Sequence, residues 1–326
     1  MVRRLLASAN PSIRFRTRTL LLDEDASGAP LQTLRREIAA CLQARALLAH
    51  REQDGTIDTN PYKKWQGPLW TLVSLAYLDY PPGDVSLHPI RDQVYDWLLS
   101  PDHVRFPRSL LIPGQEDRFR RCGSQEGYAI WFTLKLGIAD ERTDELAARL
   151  MRWQWPDGGW NCDKRPQARL SSLIETFVPL RALACYGKVR GDAAALATAR
   201  RAAEVLLSRR IFRRHSDGSV IHCSFTRLAY PYFYHYDLLS ALVVLADAGF
   251  IGDPRCAEAL DLLESKRLPD GGFPNEERTH VTSKQVVTRG TYADWGPVGK
   301  HQANEFVTLE ALYALKAAGR FSPAIV

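Results

Sequence analysis

The sequence lacks the short motifs that mark several common enzyme classes. It has no Gly-rich phosphate loop, no Ser nucleophile elbow and no His-Glu-x-x-His pair, so P-loop, α/β-hydrolase and zincin chemistry are not predicted. Its six cysteines form no CxxC pair. Scattered cysteines in a chain of 326 residues are typical of a protein that folds without disulfides, and we expect a reducing, cytoplasmic location.

Long apolar runs are also missing. No segment reaches the roughly 18 apolar residues that a membrane-spanning helix needs, and the run at 238–245 is soon followed by Asp247. Residues 1–7 carry positive charge but too short an apolar run for a signal peptide. The sequence therefore predicts a protein without a membrane span, although peripheral contact with a bilayer stays open.

The net charge of +6 comes from 43 Lys and Arg against 37 Asp and Glu, with both signs interleaved along the predicted helices. This pattern argues against a nucleic-acid partner, and nothing implies an obligate protein partner. Two arginine clusters stand out: Arg118, Arg120 and Arg121, and Arg209, Arg210, Arg213 and Arg214. We interpret each as a solvated helix end, with a site for an anionic headgroup or diphosphate as the alternative.

Helical periodicity runs through the whole chain, and amphipathic segments alternate with more apolar ones. After a leading helical segment at 1–33, the amphipathic segments are 31–51, 90–99, 143–154, 193–208 and 254–266. The apolar segments are 65–78, 129–138, 173–186, 234–248 and 305–318. Asp-Gly turns begin at 54, 157, 217 and 270. Each lies between an amphipathic segment and the apolar segment that follows it. Such repeats indicate stacked helical hairpins.

We therefore predict an all-α fold in a single domain, 1–326. The preferred architecture is an α/α toroid of five to six helix pairs, in which the apolar helices are inner and the amphipathic helices outer. An open solenoid is the alternative. A long segment at 279–302 could act as a lid or as a passive connection.

One turn carries a family resemblance. Gln154-x-x-x-Gly158-x-Trp160, with Leu150 four residues before the Gln, resembles the QW repeat of squalene–hopene cyclases and terpenoid cyclases. That family shares the α/α toroid with protein prenyltransferase β-subunits. The resemblance implies a central, aromatic-lined cavity and an isoprenoid-like substrate, but the family's Asp-x-Asp-Asp motif does not occur here.

Polar residues precede most of the apolar helices, and in a closed ring these starts would converge on one mouth of the cavity. The predicted catalytic residues are Asp237, His235, Glu175, Glu126 and Glu305. Asp237 or Glu175 would donate a proton, with His235 tuning or relaying it. Each carboxylate could instead simply cap its helix and complement the helix dipole.

Aromatic residues are concentrated near the same helix ends. The predicted substrate-binding residues are Trp65, Trp70, Trp131, Trp160, Tyr232, Tyr236 and Trp295. Their π faces would suit an apolar chain or a developing carbocation. Core packing is the alternative for each of them, and stacking on sugar rings is a further use.

Three functions follow from this pattern. The first is a terpenoid cyclase-like enzyme that uses acid–base chemistry on a hydrophobic small molecule. The others are a carbohydrate-active hydrolase or lyase using paired rim carboxylates, and a non-catalytic ligand-binding toroid. No cofactor is expected. Cys162-Asp163 and His222-Cys223 lack the Asp-x-Cys spacing of the prenyltransferase zinc site, so no metal ligand set is predicted, although metal binding at these residues stays open.

Overall fold

A computed structural model describes residues 1–105, 108–112, 114 and 118–323. This part of the chain is mostly helical, with 14 α-helices, so the prediction of an all-α fold is confirmed. The helices are α1 (Val2–Leu6), α2 (Pro11–Arg16), α3 (Ala29–Ala40), α4 (Leu42–Leu48), α5 (Pro68–Tyr77), α6 (His88–Leu99), α7 (Pro101–Val104), α8 (Gly123–Lys135), α9 (Glu141–Arg152), α10 (Leu173–Arg190), α11 (Ala193–Leu207), α12 (Leu238–Ala248), α13 (Ala257–Ser265) and α14 (Glu305–Ala317).

Short irregular elements complete the described chain. A π-helical turn, Thr17–Leu21, continues α2, and 3-10 turns lie at Val85–Leu87, Arg108–Leu110, Cys223–Thr226 and Pro254–Cys256. A minimal parallel pair joins β1 (Val281–Thr282) to β2 (Gly290–Thr291) within the 279–302 segment. No helix among the described residues combines the length and the apolar character that crossing a bilayer requires.

Side-chain caps set many of the helix starts. Asn10 accepts a hydrogen bond from the Ser12 N–H before α2, and Asp192 accepts one from the Ala195 N–H before α11. Each cap satisfies an N–H group that has no partner within its own helix. At the other end of α10, Gly191 adopts a left-handed conformation with φ of +68° and stops the helix.

Two predicted helices differ from the structure. The segment predicted as one helix at 31–51 is broken at Cys41, whose backbone is extended and whose Sγ accepts from the Ala44 N–H at 3.5 Å. Helix α12 begins at Leu238 rather than at 234, because Asp237 and Ser240 form a capping box that fixes the start. Residues 229–236, which we call the aromatic segment, lie outside that helix.

Each apolar helix packs against another apolar helix. Helix α8 lies between α5 and α10, α10 contacts α12, α12 contacts α14, and α14 contacts α2 and the π-helical turn. The amphipathic helices pack on these: α6 on α5 and α8, α9 on α8, α11 on α10, and α13 on α12. All residues of α5 are buried, whereas α9 buries a single face. The predicted division into apolar and amphipathic helices is therefore present.

The turn after α9 shows why its sequence has this pattern. The Gln154 Nε2 donates to the backbone oxygens of Gly158 at 2.7 Å and Thr198 at 2.9 Å, which ties the turn to α11. Trp160 folds back and donates from Nε1 to the Leu150 oxygen at 3.1 Å. Gly158 has φ of +103°, and a Cβ there would lie 2.6 Å from the Arg201 oxygen. Only glycine fits this position without displacing the backbone of α11.

Candidate functional site

A pocket of about 470 Å³ opens between the C-terminal halves of the apolar helices, and we call it the cationic pocket. Its cations are Arg16, Arg35, Lys135, Arg181 and Lys188. Its carboxylates are Asp79, Asp247 and Glu310. The cations therefore exceed the carboxylates by two formal charges. The pocket walls also include the apolar side chains Phe15, Leu20, Trp131 and Val243. The volume is within the usual range for a small-molecule site.

Arg16, the last residue of α2, is 5% exposed. Its Nη2 donates to Glu310 Oε1 at 2.5 Å, and its Nε lies 3.2 Å from Asp79 Oδ2. Burial lowers the pKa of Arg16, but Glu310, Tyr230 and Asp79 more than offset this and raise the pKa well above its ordinary value. Its Nη1 has no hydrogen-bond partner within the described chain. Arg16 is therefore a buried cation whose Nη1 N–H groups are free to donate.

Arg181 lies on α10 and forms a second, largely buried cation, with 13% of its side chain exposed. Its Nε is 2.9 Å from Asp247 Oδ2, and its guanidinium lies 4.2 Å from the centre of the Trp131 ring. Burial lowers the pKa of Arg181, yet Asp247 and Tyr77 raise it above its ordinary value. The two buried arginines come from helices far apart in sequence, and both remain charged at neutral pH.

Unpartnered polar atoms are concentrated around these arginines. Glu310 is 1% exposed and uses Oε1 for Arg16, while its Oε2 has no hydrogen-bond partner among the described residues. The same holds for the hydroxyl groups of Tyr230 and Tyr232, whose electrostatic interactions include Arg16 and Arg181 respectively. Buried polar groups are normally paired. Of these three residues, Glu310 lines the cationic pocket, where a ligand could complete the hydrogen bonding around Arg16.

The N-terminal ends of the same helices, where the catalytic residues were predicted, are arranged differently. Glu126 is fully buried in the first turn of α8, where Oε1 lies 3.2 Å from His103 Nε2 and 3.1 Å from Arg121 Nη2. Burial alone would raise the pKa of Glu126, but His103 and Arg121 lower it below its ordinary value. Glu126 is therefore a partner in a buried ion cluster and does not line the cationic pocket.

Two further predicted catalytic carboxylates are held by hydrogen bonds. Glu175 Oε2 accepts from the Ser124 N–H at 3.2 Å and the Ser124 hydroxyl at 3.0 Å, and burial raises the pKa of Glu175. Glu305 Oε2 accepts from the Ser8 hydroxyl at 2.7 Å. Neither residue lines the cationic pocket. The structure thus places the predicted acidic residues at separate positions. Glu305 borders a different pocket, and Ser124 holds one oxygen of Glu175.

Asp237 and His235 share a smaller pocket of about 180 Å³ with Tyr236 and Glu277. Asp237 accepts from the backbone N–H groups of Ser240 and Ala229, and burial raises its pKa to about 7. Burial, with Lys64, His280 and Arg289, lowers the pKa of His235 to about 4, so the ring is neutral at pH 7. The two side chains border one small space, although they do not hydrogen-bond with each other in the described structure.

Most of the predicted substrate-binding aromatics pack against one another. Trp65 stacks on Phe233 of the aromatic segment with ring centres 4.6 Å apart and meets Trp70 edge-on at the same distance. Tyr232 lies 5.4 Å from Tyr230. All five side chains are at most 1% exposed. The aromatic segment thus fills the space in which an open aromatic cavity was expected.

The remaining predicted aromatics divide between core and pocket. Trp160 packs in the turn after α9, and Trp295 packs on Tyr230 with ring centres 5.6 Å apart. Tyr236 donates to the Ile211 oxygen at 2.6 Å and borders the smaller pocket. Trp131 is the member of the predicted set that lines the cationic pocket.

The 279–302 segment is fastened over these N-terminal ends. The Trp65 N–H donates to the Gly290 oxygen at 2.9 Å, and the Gln66 side chain bonds both the Gln285 oxygen and the Val287 N–H. Lid opening would have to break these bonds, so the segment is a fixed cover in this conformation.

The sequence analysis missed the residues of the cationic pocket. Arg181 and Glu310 each lie in the middle of an apolar stretch of α10 or α14, and a charge at such a position is a signal that could have identified them. No known protein family matches this chain, and no curated protein matches it. The function is therefore inferred from the geometry of the described residues.

Proposed function

We propose that the apolar helices form a closed α/α toroid and that the chain uses its C-terminal mouth to bind an amphiphilic anion. Support for closure comes from the order of contacts, in which α5, α8, α10, α12, α14 and α2 follow one another. The ion pair between Arg16 of α2 and Asp79, just after α5, joins the two ends of this series at 3.2 Å. The toroid agrees with the terpenoid cyclase resemblance.

The observation that carries the binding proposal is the pair of buried arginines. A buried cation is costly unless it is paired and hydrogen-bonded. Arg16 and Arg181 have carboxylate partners, but Arg16 Nη1 has no hydrogen-bond partner in the described chain, and three further cations surround the opening. A phosphate or carboxylate group on the ligand would accept from these donors and offset the excess positive charge.

The apolar walls of the cationic pocket indicate the chemistry of the part of the ligand that is not anionic. Trp131, Phe15, Leu20 and Val243 present aromatic and aliphatic surface beside the arginines. A ligand with an apolar chain next to its anionic group would bury that surface, and the resemblance favours an isoprenoid chain. This proposal develops the ligand-binding alternative predicted from the sequence, with an anionic isoprenoid as the ligand.

Calorimetric titration with farnesyl diphosphate tests the proposal, with farnesol and inorganic diphosphate as matched halves of the probe. We expect the whole probe to bind at least tenfold more tightly than either half. Arg181→Gln should weaken binding about 10–100-fold, since a charge-assisted hydrogen bond contributes about 1.5–3 kcal/mol. Arg255→Gln is the control, because Arg255 pairs with Glu204 outside the cationic pocket.

Two results would overturn this assignment. One is the absence of measurable binding by the whole probe. The other is equal affinity of the wild type and the Arg181→Gln variant while circular dichroism shows both to be folded. Equal weakening by Arg255→Gln would also count against it, because the effect would then reflect net charge alone.

A second candidate function is acid–base chemistry at the smaller pocket, as the cyclase-like hypothesis proposes. It is favoured by Asp237, a buried carboxyl group with a pKa of about 7 that borders the same space as the neutral His235. A carboxyl group with this pKa is partly protonated at neutral pH and could donate a proton. Incubation with squalene and product analysis tests it: turnover should be lost in Asp237→Asn. Turnover retained in this variant, or absent from the wild type, rejects the candidate.

A further inference from the structure

Three side chains from separate parts of the chain meet near the N-terminal ends of α8 and α10. They are Cys122, which precedes α8, Cys162, which follows the turn after α9, and Glu175 in the first turn of α10. One ligand atom from each lies within 4.8 Å of the others. We propose that these two thiols and this carboxylate bind one zinc ion.

The spacing suits a tetrahedral zinc ion. Zn–S bonds of about 2.3 Å and Zn–O bonds of about 2.0 Å at a tetrahedral angle place sulfur and oxygen about 3.5 Å apart. The Cys162 Sγ lies 3.4 Å from Glu175 Oε1. The ligand atoms would therefore need little rearrangement on this side of the site. Two sulfur ligands favour zinc over magnesium or calcium, which prefer an all-oxygen shell.

The carboxylate is already oriented for this role. Ser124 holds Glu175 Oε2 through its N–H and its hydroxyl, which leaves Oε1 directed at the cysteines. Hydrogen bonds to the second oxygen of a metal-binding carboxylate fix its direction and tune its basicity. Ser124 would thus be a positioning residue for Glu175.

The backbone around the cysteines is also fixed. A Cβ on Gly123, the neighbour of Cys122, would lie 3.0 Å from the Trp160 ring and 3.2 Å from Pro179. The Ser172 N–H donates to the Trp160 oxygen at 2.9 Å, which holds the chain after the turn against the start of α10. These close contacts bring Cys122 and Cys162 to the same place without a disulfide.

Three protein ligands leave one tetrahedral position for water or a further ligand. Cys122 and Cys162 are only partly buried, so solvent can reach the site. Zinc binding would replace the two thiol protons, which pass to solvent, and the affinity should therefore increase with pH. A site with an open position is typical of zinc that acts on a bound ligand.

Metal analysis and cobalt substitution test the site in the full chain. Purified protein is stripped with a chelator, loaded with Zn²⁺ or Co²⁺ and dialysed. We expect one equivalent of zinc per chain and a thiolate-to-cobalt charge-transfer band. Cys162→Ser and Glu175→Gln should each weaken zinc binding at least tenfold, and Ser124→Ala should weaken it about 10–100-fold. The control is Cys185→Ser, a partly buried cysteine that lines the cationic pocket.

Two outcomes would overturn the proposal: no metal retained under reducing buffer, or a cobalt band unchanged in Cys162→Ser. The far-ultraviolet circular dichroism of each variant separates loss of a ligand from loss of the fold. Farnesyl diphosphate binding at the cationic pocket should be unchanged in Cys162→Ser. The zinc site and the proposed function can therefore fail independently.

Discussion

The two ends of the apolar helices use charged residues in opposite ways. At the N-terminal ends, carboxylates such as Glu126, Glu175 and Glu305 accept hydrogen bonds from neighbouring segments, and the aromatic segment fills the space between the helices. At the C-terminal ends, Arg16 and Arg181 border an open pocket. The comparison teaches that the recurrence of acidic helix starts does not by itself locate a cavity.

Helix electrostatics explains part of this difference. An acidic side chain in the first turn stabilises a helix, and so does a cation in the last turn. Lys135 and Lys188 lie in the last turns of α8 and α10, so the fold gathers positive charge at the C-terminal ends. Arg181 needs a different explanation, because it lies in the middle of α10 and only 13% of its side chain is exposed. Binding of an anionic ligand provides one.

The largest expected effect comes from a substitution at the N-terminal ends of the apolar helices, where the aromatic segment fills the space. Trp65→Ala should lower the free energy of unfolding by about 3–5 kcal/mol, because Trp65 is fully buried between Trp70 and Phe233. Urea unfolding followed by circular dichroism measures this. Leu170→Ala is the control, since Leu170 is 57% exposed and should change stability by less than about 0.5 kcal/mol. Wild-type stability in Trp65→Ala would mean that this end is not packed as described.

The next largest expected effect is a pH dependence of the free energy of unfolding, caused by Asp237 at the same helix ends. In the unfolded chain Asp237 titrates near pH 3.9, whereas burial raises its pKa to about 7 in the folded chain. The folded state therefore holds this proton more tightly, so its contribution to stability is complete below pH 4 and is lost as the pH rises through 7. The loss should be on the order of 2–4 kcal/mol.

Comparison with Asp237→Asn isolates this contribution from other titrating groups such as His235. The difference in unfolding free energy, wild type minus variant, should fall between pH 4 and pH 8. Asp217→Asn is the control: the Ser219 side chain and backbone N–H hydrogen-bond to Asp217 and lower its pKa, so its difference should not fall as the pH rises. A flat profile for Asp237→Asn would show that folding does not raise the pKa of Asp237.

Local patterns in the sequence were sufficient for the helices but not for the site. The caps at Asn10 and Asp237 and the turn from Gln154 to Trp160 have local causes. The turn was predicted at its position, and capping by Asp237 was one of the two alternatives given for it. The pairing of Arg16 with Glu310 spans 294 positions, and the Ser8 hydroxyl that occupies Glu305 lies 297 positions away. No periodicity within one helix reports such a contact.

The cysteines illustrate the same limit. Cys162 was considered beside Asp163 because the two are adjacent in sequence, but Asp163 bonds with Arg165, and Cys162 instead meets Glu175. Cys122 lies before a different helix and carried no local signal. The packing of α8 against α10 brings these residues together, and that packing is a property of the tertiary fold.

The smallest expected effect comes from a comparison of two lysines, one at each end of the apolar helices. Lys135 is 40% exposed and its Nζ lies 2.6 Å from Asp79 Oδ1 at the cationic pocket, whereas Lys300 is exposed in the 279–302 segment at the other end. Either substitution by Ala should change the unfolding free energy by less than about 1 kcal/mol, as exposed ion pairs contribute little. Lys135→Ala should nevertheless weaken farnesyl diphosphate binding about 2–5-fold, an effect that decreases as salt is added. Lys300→Ala also removes one positive charge, but at the opposite helix ends, where salt screens its attraction for the ligand. This variant should leave binding unchanged. Equal weakening by both variants would mean that the anion responds to the net charge of the protein and not to the position of the pocket.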